Sequence, residues 1–451
     1  MYLAGKNMLI ESISGIRGII NESFNDSTIR DYANAYHHFC SEGKIVIGRD
    51  SRPSGADFAL KISKHLTDLG RTVIDCGIVP TPTVQFIVDD TDAVGGIIVT
   101  ASHNPSEWNG LKFLASDGCF LNRKEFNSLF SMKGIEKKIN SVGNRINYDE
   151  AINDHISRIC DVEWIHIENI KSRGFRVAID TVNGAAALAL PRLLSILGCE
   201  VVSINCETSG NFTRGTEPLP ENLQDLSKLV LDSESDLGFA TDPDADRLAV
   251  INNKGKAIGE ESTLMLAVDS FLNSNKIKSP IVTNLSTTLA IEKVSEKHGV
   301  KVLRSAVGEI NVVEMMKENS SKIGGEGNGG VILKDVHLGR DSLVAVTIIL
   351  HRLALANTTL STLMENLPQF EIIKEKILID EVEEDSLFDM ISASCNDAEI
   401  CQDDGLKLSW KDRWVHIRKS NTEPILRLYA EAPTLDEANK LGNFIKTILS
   451  E

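Results

Sequence analysis

Short apolar runs closed by polar loops recur along this chain, and the stretches between them have room for a helix. Lys44-Ile45-Val46-Ile47-Gly48, Thr72-Val73-Ile74-Asp75 and Gly96-Ile97-Ile98-Val99 read as buried strands, while residues 27–40 and 56–69 carry helix spacing. The rhythm returns with Phe175-Arg176-Val177-Ala178-Ile179-Asp180, a helix through residue 197, a strand over 200–204 and the run Leu237-Gly238-Phe239-Ala240. A third cycle has Pro280-Ile281-Val282-Thr283-Asn284, a helix through 297, Val300-Lys301-Val302-Leu303-Arg304 and Lys322-Ile323-Gly324. After residue 366 the period changes to alternation, as in Leu406-Lys407-Leu408-Ser409-Trp410 and Trp414-Val415-His416-Ile417, which predicts an antiparallel sheet closed by a helix over 435–449. The pattern predicts an α/β protein of four units, over 1–150, 151–252, 253–366 and 367–451, the first three built alike.

A chain of 451 residues exceeds what one core supports, in keeping with several domains. A net charge of −17 speaks against nucleic-acid or anionic-membrane surfaces, so any site for an anionic ligand must be locally positive. Eight cysteines without a C-x-x-C pair read as reduced thiols. The polar stretch from Met1 to Arg17 lacks a signal-peptide core, and no segment reaches membrane-spanning length. A cytoplasmic protein is expected, with no nucleic-acid or membrane partner; monomer and homodimer both remain open.

Each of the first three units finishes on a loop with chemical potential. Thr100-Ala101-Ser102-His103-Asn104-Pro105 places a serine at the carboxyl end of a buried strand, where α/β proteins position reacting groups. Ser102 is the candidate nucleophile, although a plain Asx or Ser turn accounts for the loop taken alone. Asp242-Pro243-Asp244-Ala245-Asp246-Arg247 gathers three carboxylates on alternate residues, hard donors that suit Mg²⁺. A calcium EF-hand is excluded, because its sixth and twelfth positions would be Arg247 and Asn253 rather than Gly and Glu. A phosphoryl group on Ser102 would add a further oxygen ligand, and the metal would then draw charge from the serine oxygen as it leaves. Arg17, set among glycines in Ile13-Ser14-Gly15-Ile16-Arg17-Gly18, His103 and Lys112 are candidates to neutralise that group. Burial among cations would also suit Lys112 to proton transfer. Each of the three is equally compatible with a structural or solvated role.

Gly325-Glu326-Gly327-Asn328-Gly329-Gly330 has neither a Walker lysine nor a G-x-G-x-x-G context; a carboxylate and a carboxamide on a glycine turn suit a pair of sugar hydroxyls. Arg418-Lys419-Ser420-Asn421-Thr422-Glu423-Pro424-Ile425-Leu426-Arg427 combines guanidinium, hydroxyl and backbone donors as a phosphate dianion requires.

With these four motifs in order, the chain resembles the α-D-phosphohexomutase family over nearly its whole length. The resemblance implies three similar mixed α/β domains and a smaller α+β, TATA-binding-protein-like C-terminal domain around one cleft. It implies phosphoserine at Ser102, one Mg²⁺ per chain on Asp242, Asp244, Asp246 and the serine-borne group, and Glu326, with Asn328 in the same loop, at the sugar hydroxyls. It also implies Arg418, Ser420, Asn421, Thr422 and Arg427 on the phosphate that is not transferred, and Arg17, His103, Lys112 and Arg247 lining the catalytic centre. The implied reaction interconverts hexose 6-phosphate and hexose 1-phosphate, with a sugar 1,6-bisphosphate as intermediate and activator. Two departures bear on the sugar: Asn328 stands where many members have serine, and Glu309 where the mannose and glucose enzymes often have histidine. An acidic residue there is similar to glucosamine-specific members, since a carboxylate suits a protonated 2-amino group, so glucosamine phosphate is the expected substrate. Asn421 is the form of the mannose and glucose enzymes, which are the alternative. A serine phosphatase would need no second phosphate clamp, and a phosphosugar-binding regulator would need neither Ser102 nor the aspartates.

Overall fold

The computed structural model describes residues 9–135, 142–275, 277–378, 384–395, 397–419 and 425–449. Its first sheet contains the parallel strands Lys44–Arg49, Val73–Ile78 and Ala93–Val99, followed by Trp108–Leu114, which returns antiparallel beside Ala93–Val99. The second sheet repeats this with Arg176–Asp180, Glu200–Ile204, Leu237–Thr241 and the returning strand Leu248–Asn252. The third uses Ile281–Asn284, Val302–Ser305, Ile323–Glu326 and Gly330–Leu333. In all three, the spatial order is returning strand, loop-bearing strand, first strand, second strand. Each motif loop therefore sits where a strand paired in parallel on one side is paired antiparallel on the other, an opening that α/β sheets use for ligands.

The first sheet is widened by a hairpin, Ile10–Ser12 with Gly15–Ile19, and by Arg145–Asn147 on the far edge. The glycine-flanked Arg17 thus lies in a strand paired with Trp108–Leu114. A continuous apolar core runs from the first sheet through the third. Helix Ser342–Ala356 lies in it, packed against helices Glu260–Ser274, Ile167–Arg173 and Ala151–Cys160. It has no polar face over most of its length and so no helical period to read.

The last unit is a wholly antiparallel five-stranded sheet in the order Glu371–Leu378, Ile425–Ala432, Trp414–Lys419, Leu406–Ser409, Glu399–Cys401. Helices Glu384–Ser394 and Leu435–Ile448 contribute to its own separate core. Its seam with the third sheet is polar. The Lys407 ammonium donates to the Leu285 carbonyl, His416 Nδ1 lies 2.8 Å from Ser286 Oγ, and the backbone N–H groups of Leu289 and Val307 donate to Glu431 and Asp404. Among the described residues no helix is long and apolar enough to cross a membrane.

Candidate active site

The serine loop is held from behind by a buried arginine. Arg52, fully inaccessible, pairs with Asp50 at 3.0 Å and donates to the carbonyls of Ser102, Asn104, Pro105 and Trp108 at 2.6–3.1 Å. Ser102 takes a left-handed backbone (φ 50°), costly for a residue with a side chain, and its N–H is fixed by Thr100 Oγ1. Ser102 Oγ lies 3.4 Å from His103 Nδ1. Arg17 reaches the same loop, donating to Asn104 Oδ1 at 3.0 Å. A Cβ on Gly110 would stand 2.3 Å from the Ile16 carbonyl, so only glycine lets the Arg17 strand lie this close.

The aspartate loop opens onto the same crevice. Glu217 joins the two: its Oε1 accepts from Arg247 Nη1 at 3.2 Å and lies 3.7 Å from His103 Nε2, while Thr216 donates to the His103 carbonyl. Burial, and after it Arg247 and Arg17, press the His103 imidazole down to about 3, so it is neutral near pH 7. The three aspartates are buried, and each has one oxygen tied by a hydrogen bond and one without a hydrogen-bond donor, that of Asp246 lying 3.8 Å from Arg247 Nε. Asp242 Oδ1 accepts from the Arg247 N–H, Asp244 Oδ2 from Lys112 Nζ and Thr81 Oγ1, and Asp246 Oδ2 from Arg340. Asp242 Oδ2, Asp244 Oδ1 and Asp246 Oδ1 are orphaned, and the three carboxylates can bring oxygens within 4.8 Å of one another. Buried carboxylate oxygens without donors are costly unless a cation takes them. An all-oxygen donor set of this size fits a divalent hard cation.

Burial, reinforced by Asp246 and Asp244, raises the Asp242 carboxyl well above the usual range. Burial acts the same way on Asp246 but is outweighed by Arg340, Lys112 and Arg247, which hold it far below. Lys112 is suited to proton transfer on the condition that cations surround it. Instead its ammonium stands 2.7 Å from Asp244 and 3.7 Å from Asp246, over the Phe120 ring, so it serves as counter-charge to the carboxylates.

The glycine loop faces this cluster through Arg340, which the sequence reading missed. Arg340 donates to Asp246 Oδ2 at 2.6 Å, Glu326 Oε2 at 2.7 Å and Glu309 Oε2 at 2.9 Å. Glu326, expected open to sugar hydroxyls, also accepts from Asn284 Nδ2 at 2.8 Å and the Gly308 N–H at 3.0 Å; Asn328 lies 3.5 Å away. Glu309, expected to offer its carboxylate to an amino group, is buried and engaged by Arg340 and by Gln85 Nε2. The missed signal was Asp341 immediately before the apolar run 343–350, a helix start, with Arg340 just ahead of it.

In the C-terminal sheet, Arg418 and Arg427 are directly opposite across two antiparallel strands, both half-buried. Two like charges so placed repel, and an anion between them would relieve this. Ser420, Asn421 and Thr422 lie outside the described residues.

Three sheets of one strand order, each ending its loop-bearing strand in a polar loop, followed by an antiparallel sheet with its own core, define the class: a four-domain α/β protein. Family models described as phosphoglucomutase/phosphomannomutase alpha/beta/alpha domains I, II and III match residues 10–140, 153–255 and 259–370, and that of the C-terminal domain matches 373–447. A phosphoglucomutase/phosphomannomutase of Thermococcus kodakarensis is 34% identical over 94% of this chain and 95% of its own length. A phosphoglucosamine/phosphogalactosamine mutase of Sulfurisphaera tokodaii is 30% identical over 96% and 98%. A crystal structure of a phosphoglucomutase/phosphomannomutase family protein from Burkholderia thailandensis superposes with a TM-score of 0.86 at 26% identity, covering 98% of both chains. The chain belongs to the phosphoglucomutase/phosphomannomutase family and is an isomerase of the phosphohexomutase class.

Proposed function

We propose that the chain interconverts glucosamine 6-phosphate and glucosamine 1-phosphate by way of a phosphoserine at Ser102. The observation that carries the reading is the set of three carboxylate oxygens without hydrogen-bond donors on Asp242, Asp244 and Asp246, in a loop whose Arg247 shares Glu217 with His103, the neighbour of Ser102. These aspartates would hold Mg²⁺, which when bound supplies Lewis-acid withdrawal of charge from the serine oxygen as it leaves.

The chain's own residues do the rest. Arg17 and Arg247 bring positive charge to the transferred phosphoryl group and Lys112 compensates Asp244 and Asp246, while His103 stays neutral beside Ser102 Oγ. In the first transfer the Ser102 Oγ–P bond breaks as an O–P bond forms to the free sugar hydroxyl, and the proton that hydroxyl loses ends on the freed Ser102 Oγ. A 1,6-bisphosphate results, and after it turns over, its other phosphoryl group returns to Ser102. Arg418 and Arg427, with Ser420, Asn421 and Thr422, clamp whichever phosphate is not reacting. The separate core and polar seam of the C-terminal sheet suit a unit that shifts as the sugar turns.

The glucosamine assignment draws on Glu309 and on relatives named phosphoglucosamine mutase at about 30% identity over nearly the whole chain. A second reading, glucose or mannose phosphates, is favoured by the engagement of both Glu309 oxygens. The test is turnover of the three 6-phosphates at equal concentration with Mg²⁺ and a sugar bisphosphate primer, alongside intact mass. Phosphorylation that is lost in Ser102→Ala, with glucosamine turned over ~10-fold faster than the others, supports the assignment. A strong preference for mannose or glucose moves the substrate to the second reading. Inorganic phosphate released faster than isomerisation overturns the mutase reaction itself.

A further inference from the structure

Arg340 holds one positive charge against three carboxylates, and two of them, Glu309 and Glu326, border the loop read as the sugar site. Its Nε and backbone N–H both reach Glu309, at 2.9 and 3.3 Å, and its Nη1 reaches Glu326 at 2.7 Å. Arg340 is the main compensation of Glu309: Lys112 acts on it more weakly, and Gln85 Nε2, its other hydrogen-bonding neighbour among the described residues, is neutral at 3.3 Å.

The guanidinium is anchored from three sides. A Cβ on Gly330 would stand 2.2 Å from Arg340 Cδ, so the glycine loop lies directly on its stem. The next residue, Asp341, caps helix Ser342–Ala356 through the N–H groups of Leu343 and Val344, and its other oxygen lies 2.8 and 3.2 Å from His155 and His337. Ser342 Oγ donates to the Ala245 carbonyl inside the aspartate loop at 2.7 Å. Arg340 is therefore a fixed charge, and its effect on the sugar site depends on what it neutralises.

We propose that Arg340 is a specificity-determining residue: by neutralising Glu309 and Glu326 it sets how strongly the sugar site favours a 2-ammonium group over a 2-hydroxyl. The inference rests on the reading of the glycine loop as the sugar site. With Arg340 in place the two carboxylates are partly compensated, and the preference for the ammonium is smaller than two uncompensated carboxylates would give. Without it, the two buried carboxylates keep only neutral hydrogen-bond donors, Asn284 and the Gly308 N–H on Glu326 and Gln85 on Glu309, and a cationic substituent is the partner that compensates their charge.

The experiment compares kcat/KM for glucosamine 6-phosphate and glucose 6-phosphate, at a pH where the amine is protonated, in the full-length protein and three variants. Arg340→Met raises the glucosamine-to-glucose ratio on the order of 10-fold, the size of one charge-assisted hydrogen bond. Glu309→Gln, which removes one of the three carboxylates sharing Arg340 and leaves more of its charge to Glu326, moves the ratio the other way, by roughly 3-fold. Arg340→Lys keeps the charge but loses the fork that reaches three carboxylates at once, so its ratio falls between the parent's and that of Arg340→Met, within about threefold of the parent's. A purely structural role lowers both sugars together and leaves the ratio where it was. Unchanged ratios in Arg340→Met and Glu309→Gln, or shifts of the same sign, overturn the inference while leaving the mutase intact. If Arg340→Met does not fold, the sign of the Glu309→Gln shift decides alone. A parent inactive on both sugars overturns the function and the inference together.

Discussion

The aspartate loop and the glycine loop face each other across Arg340, yet they are prepared in opposite ways. In the aspartate loop every carboxylate keeps one oxygen tied and one open. In the glycine loop both oxygens of Glu326 are taken, by Arg340, Asn284 and the Gly308 N–H. The first is shaped to receive a cation with little rearrangement. The second is a closed salt bridge with which a polar ligand must share partners. A binding site can thus be pre-formed by leaving acceptors unmet or held in reserve by meeting them, and only the former raises the cost of staying empty.

Substitutions should separate the two loops by size of effect. Ser102→Ala removes the group that both loops serve, and kcat is expected to fall by on the order of 10⁴-fold or more in a coupled isomerisation assay. Asp244→Asn should cost about 10²–10³ in kcat and abolish the calorimetric signal of Mg²⁺ binding. Glu326→Gln should act mainly on KM, raising it ~10-fold with a smaller change in kcat, because a ligand already has to share that carboxylate. If Glu326→Gln proved more damaging to kcat than Asp244→Asn, the contrast between open and closed loops would be wrong.

The smallest effect lies at the seam with the C-terminal sheet. Burial lowers His416 from 6.5 to about 4, the nearby Lys407 adding to this against the Asp404 carbonyl. Since the folded value lies below the unfolded one, the unfolded chain takes the proton first as the pH falls. The stability His416 allows is present above pH 6.5 and is lost between there and about 4. Thermal midpoints measured over that window should fall less steeply for His416→Gln than for the parent.

The sequence made the loops legible because each follows a short apolar strand with a sharp change to polar residues, as Leu237–Thr241 does before Asp242. The partners of those loops were harder to see. Arg340 stands 94 residues from Asp246 and 31 from Glu309, so nothing local pairs them. Helix Ser342–Ala356 is apolar on nearly all sides, which erases the periodicity by which helices are found. The environment of Lys112 was hidden for a related reason: its position on a strand was readable, but not that the strand would present it to Asp244 across two sheets. Residue types announced the chemistry, and long-range pairing decided how each charge is compensated.

Arg52 gathers four carbonyl oxygens of the serine loop onto one guanidinium. A peptide unit is planar, with its C=O and N–H pointing opposite ways, so turning the Ser102 carbonyl inward turns the His103 amide away from Arg52. The segment thereby acquires a polarity of its own, with electron-rich ends sunk into the protein and electron-poor ends on the reverse side. An esterified serine would gain a friendlier electric field from folded main chain alone, before any side chain contributes.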